Sequence, residues 1–276
     1  MILFRDNVVS PAQLRRMTGA FHRAAGGRTL VMIDQEGGAI RNVPWAAPVA
    51  APPAQRTADA AREASRATAR DLRAAGVNVN LAPVADVGTH AGSVMRSRAY
   101  PGGPAEVGAL VAAAVRGYER TGVLPTAKHF PGLGRSQTNT DFRPATVAGQ
   151  GDLAPFAAAV RAGVPLVMAS HALHPELDPD RIASQSAPIL RGLLRERLRF
   201  DGACVTDSLE AQAVVQRSST PVAAERSMRA GCDLLLTTGR ASYLQVMLRL
   251  VASARRDPGL RRRLAEARRR IDALPR

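Results

Sequence analysis

Lysine has almost vanished from this chain: of its 38 Lys and Arg side chains, only Lys128 is a lysine. Arginine presents a planar fork of donors and lysine a compact, rotatable point charge, so a site that grips closely spaced oxygens cannot exchange the two. Cysteine is scarce as well. Cys204 and Cys232 lack metal-ligand spacing and sit in strand-like apolar contexts, which argues against a disulfide framework and predicts two buried, reduced thiols. No run of about 18 apolar residues occurs, so no segment reads as a membrane-spanning helix. The N-terminus, Met-Ile-Leu-Phe-Arg-Asp-Asn, lacks the charged start, apolar stretch and cleavage site of a signal peptide. As written the chain is expected in the cytoplasm, and outside it only if an upstream start supplies an export signal.

Acids are outnumbered 38 to 23, giving a formal charge of +15. Much of this excess lies in 255–276, which reads as a solvated, basic C-terminal helix over about 257–276 built around Leu260, Leu264 and Ile271. Specific nucleic-acid binding would need a recognised fold or stacking aromatics besides charge, and the chain has 4% aromatics and one Trp. No nucleic-acid partner is expected.

What the chain does contain is alternation. Short apolar runs at 2–4, 30–34, 77–83, 126–130, 166–171, 203–207 and 233–237 alternate with stretches of helical spacing near 11–25, 57–75, 104–121, 153–162, 189–198, 220–230 and 242–254. This is the pattern of parallel strands joined by crossover helices. With no low-complexity linker and no short repeat, the reading is one α/β domain over 1–276, a TIM (β/α)8-type barrel that lacks its first strand in this chain. Asp34, Asp86, Lys128, His129, His171 and Asp207 all fall at or just past strand ends, where that fold carries its chemistry. Adjacent strand residues alternate sides, so Lys128 and His129 are expected to face opposite ways.

Six segments carry the functional reading. They are Ile-Asp-Gln-Glu-Gly-Gly (33–38), Asn-Leu-Ala-Pro-Val-Ala-Asp-Val (80–87), Arg-Ala-Tyr (98–100), Lys-His-Phe-Pro-Gly (128–132), Met-Ala-Ser-His (168–171) and Val-Thr-Asp-Ser-Leu (205–209). In this order the set resembles the N-terminal barrel domain of glycoside hydrolase family 3, and within it the single-domain β-N-acetylhexosaminidases. The resemblance implies a retaining glycosidase that removes a terminal β-linked sugar, N-acetylglucosamine first of all, from a cell-wall-derived or similar oligosaccharide, without metal or organic cofactor. It implies Asp207 as nucleophile and Asp34, Arg98, Lys128 and His129 as sugar-binding residues. His171 stands at the site's edge as substrate contact or support, and Asp86 is expected to brace the mouth. β-Glucosidase-type specificity and a sugar-binding barrel of impaired catalysis are the alternatives. The resemblance does not define an oligomeric state.

Two departures from the family pattern matter. Where the acetylhexosaminidase branch has a His-Gly after the Lys-His-Phe-Pro-Gly segment and then Asp-Ser-His, this chain has Leu133, Asn139 and Asp141. The usual His acid/base is absent. Either Asp141 protonates the glycosidic oxygen with its pKa lifted by burial, or a partner chain or another residue supplies the proton, or the site binds sugar and turns it over poorly. An anionic acid/base would also repel phosphate, favouring hydrolysis over phosphorolysis. The second departure is Arg41, one position earlier than the branch's sugar-binding arginine, so its contact with substrate stays open.

Overall fold

The structure, a computed structural model, describes residues 1–275. Six of the seven expected strands pair in parallel, in chain order: β1 (Ile2–Leu3), β2 (Met32–Ile33), β3 (Val79–Asn80), β4 (Leu124–Phe130), β5 (Leu166–Ala169) and β6 (Ala203–Thr206). The seventh, expected at 233–237, is a correction: there the described chain makes one parallel bridge, Leu234 to Val205. Most strands are also shorter than their apolar runs.

Helices follow the expected positions at α1 (Pro11–Ala24), α2 (Ala58–Ala74), α3 (Pro104–Gly117), α4 (Leu153–Arg161), a π-type turn helix over Pro188–Arg197, α6 (Thr220–Ala230), α7 (Ser242–Arg256) and α8 (Pro258–Asp272), while the short α5 (Gln212–Val215) was not expected. Their starts have local causes. Ser10 accepts from the Gln13 amide and Thr57 from the Ala60 amide, each satisfying a donor that the first turn leaves open, while Pro11 follows Ser10 at the position where a missing N–H costs nothing. Asp257 separates α7 from α8 by accepting from the Gly259 and Leu260 amides. The basic C-terminal helix therefore ends at Asp272, short of the expected 276; Arg276 lies outside the described residues.

The sheet curls. Ile2 of β1 and Leu234 and Leu236 beyond β6 share one apolar cluster with Met32, Val79, Leu166 and Met168, so the two ends of the sheet face a common interior. Leu274 joins that cluster from the C-terminal tail. A second cluster lies between the sheet and α3 and α4, where Phe130 at the end of β4 meets Phe156 edge-on with ring centroids 5.2 Å apart. Such an aromatic pair adds about 1 kcal/mol beyond its buried area and fixes the end of the strand that bears Lys128 and His129. Cys204 and Cys232 are buried free thiols, as expected, with sulfurs 3.6 Å apart.

Two hairpins were not expected. One pairs Gln35–Gly37 with Ile40–Arg41, the other Leu173–His174 with Asp178–Ile182, and both rise from the C-terminal ends of parallel strands. Among the described residues, no helix is long and apolar enough to cross a membrane.

Candidate active site

A cavity of about 460 Å³ opens at the C-terminal ends of the strands. Its floor is charged. Asp34 follows β2, and Glu36, two residues on, shares its side of the extended chain. The hairpin that carries Glu36 is clamped from below: Asn80 of β3 accepts from the Gln35 amide and donates to the Gln35 carbonyl, both at 3.0 Å, and donates to the Tyr118 hydroxyl at 2.8 Å. The Gln35 side chain in turn donates to the Val43, Ala46 and Ala47 carbonyls, each at 3.1 Å. Gly37, at φ 102°, is required here, because a Cβ would meet the Ala50 carbonyl oxygen at 2.3 Å.

Lys128 is 2% exposed and reaches two carboxylates, Asp34 Oδ1 at 2.5 Å and Glu36 Oε1 at 2.6 Å. Arg98 grips the same Glu36 with both prongs of its fork, Nε to Oε2 at 2.9 Å and Nη2 to Oε1 at 2.7 Å. Burial alone would raise the Glu36 carboxyl, but the Lys128 ammonium and Arg98 guanidinium outweigh it and draw its pKa down to about 2. Burial likewise opposes the charge on Lys128, and Asp34 with Glu36 overcomes it, leaving the ammonium harder to deprotonate than usual. The lone lysine thus fills a slot between two carboxylates where a guanidinium fork is already in use.

His129 lines the same cavity as Lys128, correcting the expectation that they face opposite ways. The pairing of β4 with β5 jumps from Lys128–Met168 to Phe130–Ala169, leaving His129 as the extra residue of a bulge, and the Lys128–His129 peptide is cis. Asp86 holds it there, accepting from the His129 ring Nδ1 at 2.7 Å, from its amide, and from the Leu133 amide at 2.6 Å. Asp86 therefore braces the mouth and stays out of the cavity lining.

Asp207 lies just past β6 and lines the cavity, its Oδ1 accepting from the Ser208 amide at 2.8 Å. Burial would raise its carboxyl, yet His129 and His171 outweigh this and lower it. Helix α5 begins at Gln212, so Asp207 is not a helix cap. His171 is buried beneath: its ring bonds the Ser184 hydroxyl at 2.8 Å and the Ser208 carbonyl at 2.9 Å, supporting the turn that carries Asp207 from outside the cavity lining. Asp141 enters from the loop after β4. Asn139 accepts from the Asp141 amide at 2.9 Å, and the Thr140 and Asp141 carbonyls accept from Ala213 and Gln212 at the start of α5, so the loop is pinned on both sides. Asp141 is exposed at the rim, and partial desolvation of its carboxyl, followed by the nearby Asp207 charge, raises it.

Of the eight side chains singled out from sequence, Asp34, Arg98, Lys128, His129, Asp141 and Asp207 line one cavity. His171 sits behind it, and Arg41 turns away to the Pro44 and Ala46 carbonyls at 2.6 and 3.3 Å. Glu36 was missed, although its two-residue spacing from Asp34 on an extended segment was the signal available. Among the described residues, no group of three or more His, Cys, Asp or Glu side chains is arranged to hold a metal ion.

Comparison with known proteins agrees with this geometry. The chain matches the glycosyl hydrolase family 3 N terminal domain over residues 1–273. It is 32% identical to a beta-hexosaminidase of Nitrosomonas eutropha over 253 residues, covering 86% of this chain and 72% of the relative, and 31% identical to one of Methylococcus capsulatus, covering 99% and 85%. Among solved structures, the family 3 beta-N-acetylglucosaminidase from Paenibacillus sp. str. FPU-7 superposes with a TM-score of 0.92 at 32% identity over 99% of this chain. The chain spans 55% of that protein's length. The beta-N-acetylhexosaminidase from Beutenbergia cavernae gives a TM-score of 0.86 at 30% identity, covering 95% of this chain and 83% of the neighbour. Sequence, fold and the carboxylate-lined mouth converge: the chain belongs to glycosyl hydrolase family 3, as a member of its N-terminal domain family.

Proposed function

We propose that this chain is a retaining O-glycosyl hydrolase that removes a terminal β-linked N-acetylglucosamine from oligosaccharides. The curled sheet acts as an incomplete (β/α)8-type barrel, and residues 1–276 as one catalytic domain. The observation that carries the reading is geometric: two carboxylates, Asp207 and Asp141, line one cavity with Asp34, Arg98, Lys128 and His129, and the surroundings shift the pair in opposite directions, Asp207 down and Asp141 up. A retaining glycosidase needs that division, with one carboxylate ionised to attack the anomeric carbon and one acid protonated to release the leaving oxygen.

In the first step Asp207 forms a bond to the anomeric carbon as the bond to the glycosidic oxygen breaks, and the Asp141 proton goes to that oxygen. In the second, Asp141 takes a proton from water, whose oxygen displaces Asp207 and regenerates both groups. Asp34, Lys128, Arg98 and His129 bind the hydroxyls of the departing sugar unit, and the Lys128–Asp34 pair suits two vicinal hydroxyls, one receiving and one giving a hydrogen bond. Glu36 holds Arg98 and Lys128 in place, and His171 steadies the Asp207 turn.

Two aryl N-acetyl-β-glucosaminides, one with a good and one with a poor leaving group, test this. Asp207→Ala removes turnover of both. Asp141→Ala lowers kcat/KM for the poor leaving group by about 10²–10⁴ and spares the good one far more. On the poor leaving group the pH profile carries a sign: kcat/KM of the wild type climbs as pH rises through the lowered Asp207 value and falls as pH passes the raised Asp141 value. Equal losses on both substrates in Asp141→Ala would remove Asp141 as the proton donor, and no turnover of either by wild type would leave only a sugar-binding barrel.

A further inference from the structure

Helix α7 is apolar on both sides. Val246 is buried and Leu250 and Ala254 pack inward on the domain, while Leu244, Met247, Leu248 and Val251, spaced i, i+3, i+4 and i+7, face outward beside Tyr243. Tyr243, Met247 and Leu248 are 67%, 49% and 59% exposed. A surface helix ordinarily turns charged residues to solvent, and a helix apolar all round is a buried one. Here nothing among the described residues covers the outer side. Between α7 and Leu264 of α8 that side opens into an apolar cleft of about 570 Å³, whose lining also includes Arg255 and Arg261.

We infer that this face of α7 docks on an anionic lipid surface. Charge decides the occupant. Helix α7 contains no Asp or Glu; Arg240 precedes it, Arg255 and Arg256 end it, and Arg262 follows in the first turns of α8. None of these four makes an ion pair among the described residues, whereas Arg249 on the flank is paired with Glu225 at 2.8 Å and Asp257 with Arg229. A second copy packed on this face about a twofold axis would set arginines against arginines with no acid between them. An anionic bilayer supplies the missing charge as headgroups around side chains that enter the acyl boundary, and arginine stems can lie along apolar surface while their heads reach that charge. Tyr243 stands at the other end of the stripe, an amphipathic ring of the kind that anchors at the membrane–water boundary. One segment joins this face to the candidate active site: Leu235 and Thr237 line the cleft, Leu236 and Thr238 the cavity, so the docked protein holds its mouth beside the headgroups. The inference does not rest on the glycosidase reading.

Flotation with vesicles tests the proposal. The full chain is expected to float with phosphatidylcholine vesicles in which about a third of the lipid is phosphatidylglycerol, to stay behind with phosphatidylcholine alone, and to detach as salt rises. Met247→Gln combined with Leu248→Gln changes no charge at two exposed positions, so the melting temperature should stay near wild type while partition weakens by about tenfold or more. Arg255→Gln and Arg256→Gln should each weaken it by about fivefold. Leu248→Trp in a Trp45→Phe background should be quenched by lipids brominated in their acyl chains, placing the helix face below the headgroups. Anionic vesicles bound as tightly by the double glutamine variant, or a tryptophan at 248 left unquenched, would reduce the contact to charge alone and overturn the docking of this face. Absence of binding to either vesicle would overturn it too: a dimer that the double variant dissolves would then assign the face to a second copy, and a monomer would leave it to an acidic protein helix.

Discussion

Two buried ionic clusters lie near opposite ends of β6, and they are built to different plans. At the N-terminal end, Asp233 receives the Cys204 amide and Arg195 on one oxygen, and Arg263 and Arg270 on the other. Arg263 also donates to the Gly231 and Cys232 carbonyls, so the cluster is closed by protein and ties α8 to the foot of the sheet. At the C-terminal end, Lys128, Arg98, Glu36 and Asp34 form a comparable network, but Asp34 keeps a 21% exposed side chain and Asp207 beside it accepts from a single amide. The base spends its charge on itself; the mouth leaves oxygens facing a cavity. At the closed base three arginines serve, and at the open mouth the chain keeps its lysine.

Substitutions separate the two plans. The largest effect is expected from Asp207→Ala, which should lower kcat/KM by about 10⁴-fold or more while leaving the melting temperature close to wild type. Asp233→Ala should do the reverse: by removing the shared partner of buried Arg263 and half-buried Arg195 and Arg270 it costs about 3 kcal/mol of unfolding free energy, read by urea titration, with kcat/KM of the folded protein changed little. Glu36→Gln should lie between, raising KM and also removing an acid-dependent share of stability. Because the folded-state pKa of Glu36 is about 2 against an ordinary 4.5, its contribution is fully present above the ordinary value and lost as pH falls toward 2. That share is on the order of 3 kcal/mol, so the variant's stability should fall less steeply than wild type's below about pH 4.5. Lys128→Arg is the smallest change, with KM rising about tenfold, because a guanidinium cannot occupy the slot between Asp34 and Glu36 without displacing Arg98.

The mouth was far more legible in sequence than the base. Strand-terminal polar residues at 34, 128, 129 and 207 announced themselves against apolar runs, and six of the eight residues singled out line the cavity. Glu36 was hidden in the segment that located Asp34, because the hairpin turning it inward depends on Gln35 and Asn80, partners 45 residues apart. That Lys128 and His129 share one side was not legible, since strand alternation fails at a bulge and a bulge leaves no local sequence signature. Arg41 was drawn away by carbonyls of its own loop, a competition that spacing cannot express. The base was not read at all. Asp233 looked like the start of a seventh strand, and the arginines that enclose it come from positions 195, 263 and 270, scattered among many others that point to solvent. Charged pairs in a chain this rich in arginine are decided by tertiary placement, and composition gives no hint of which ones close.

The division of labour between Asp207 and Asp141 is tested most directly by trapping. In Asp141→Ala, an activated dinitrophenyl N-acetyl-β-glucosaminide needs no proton to leave, but no base remains to activate water, so the glycosyl-enzyme should accumulate. Acid quench, peptic digestion and mass spectrometry should then find one sugar residue on the peptide containing Asp207. A sugar on any other peptide, or undiminished steady turnover with no adduct, would contradict the account.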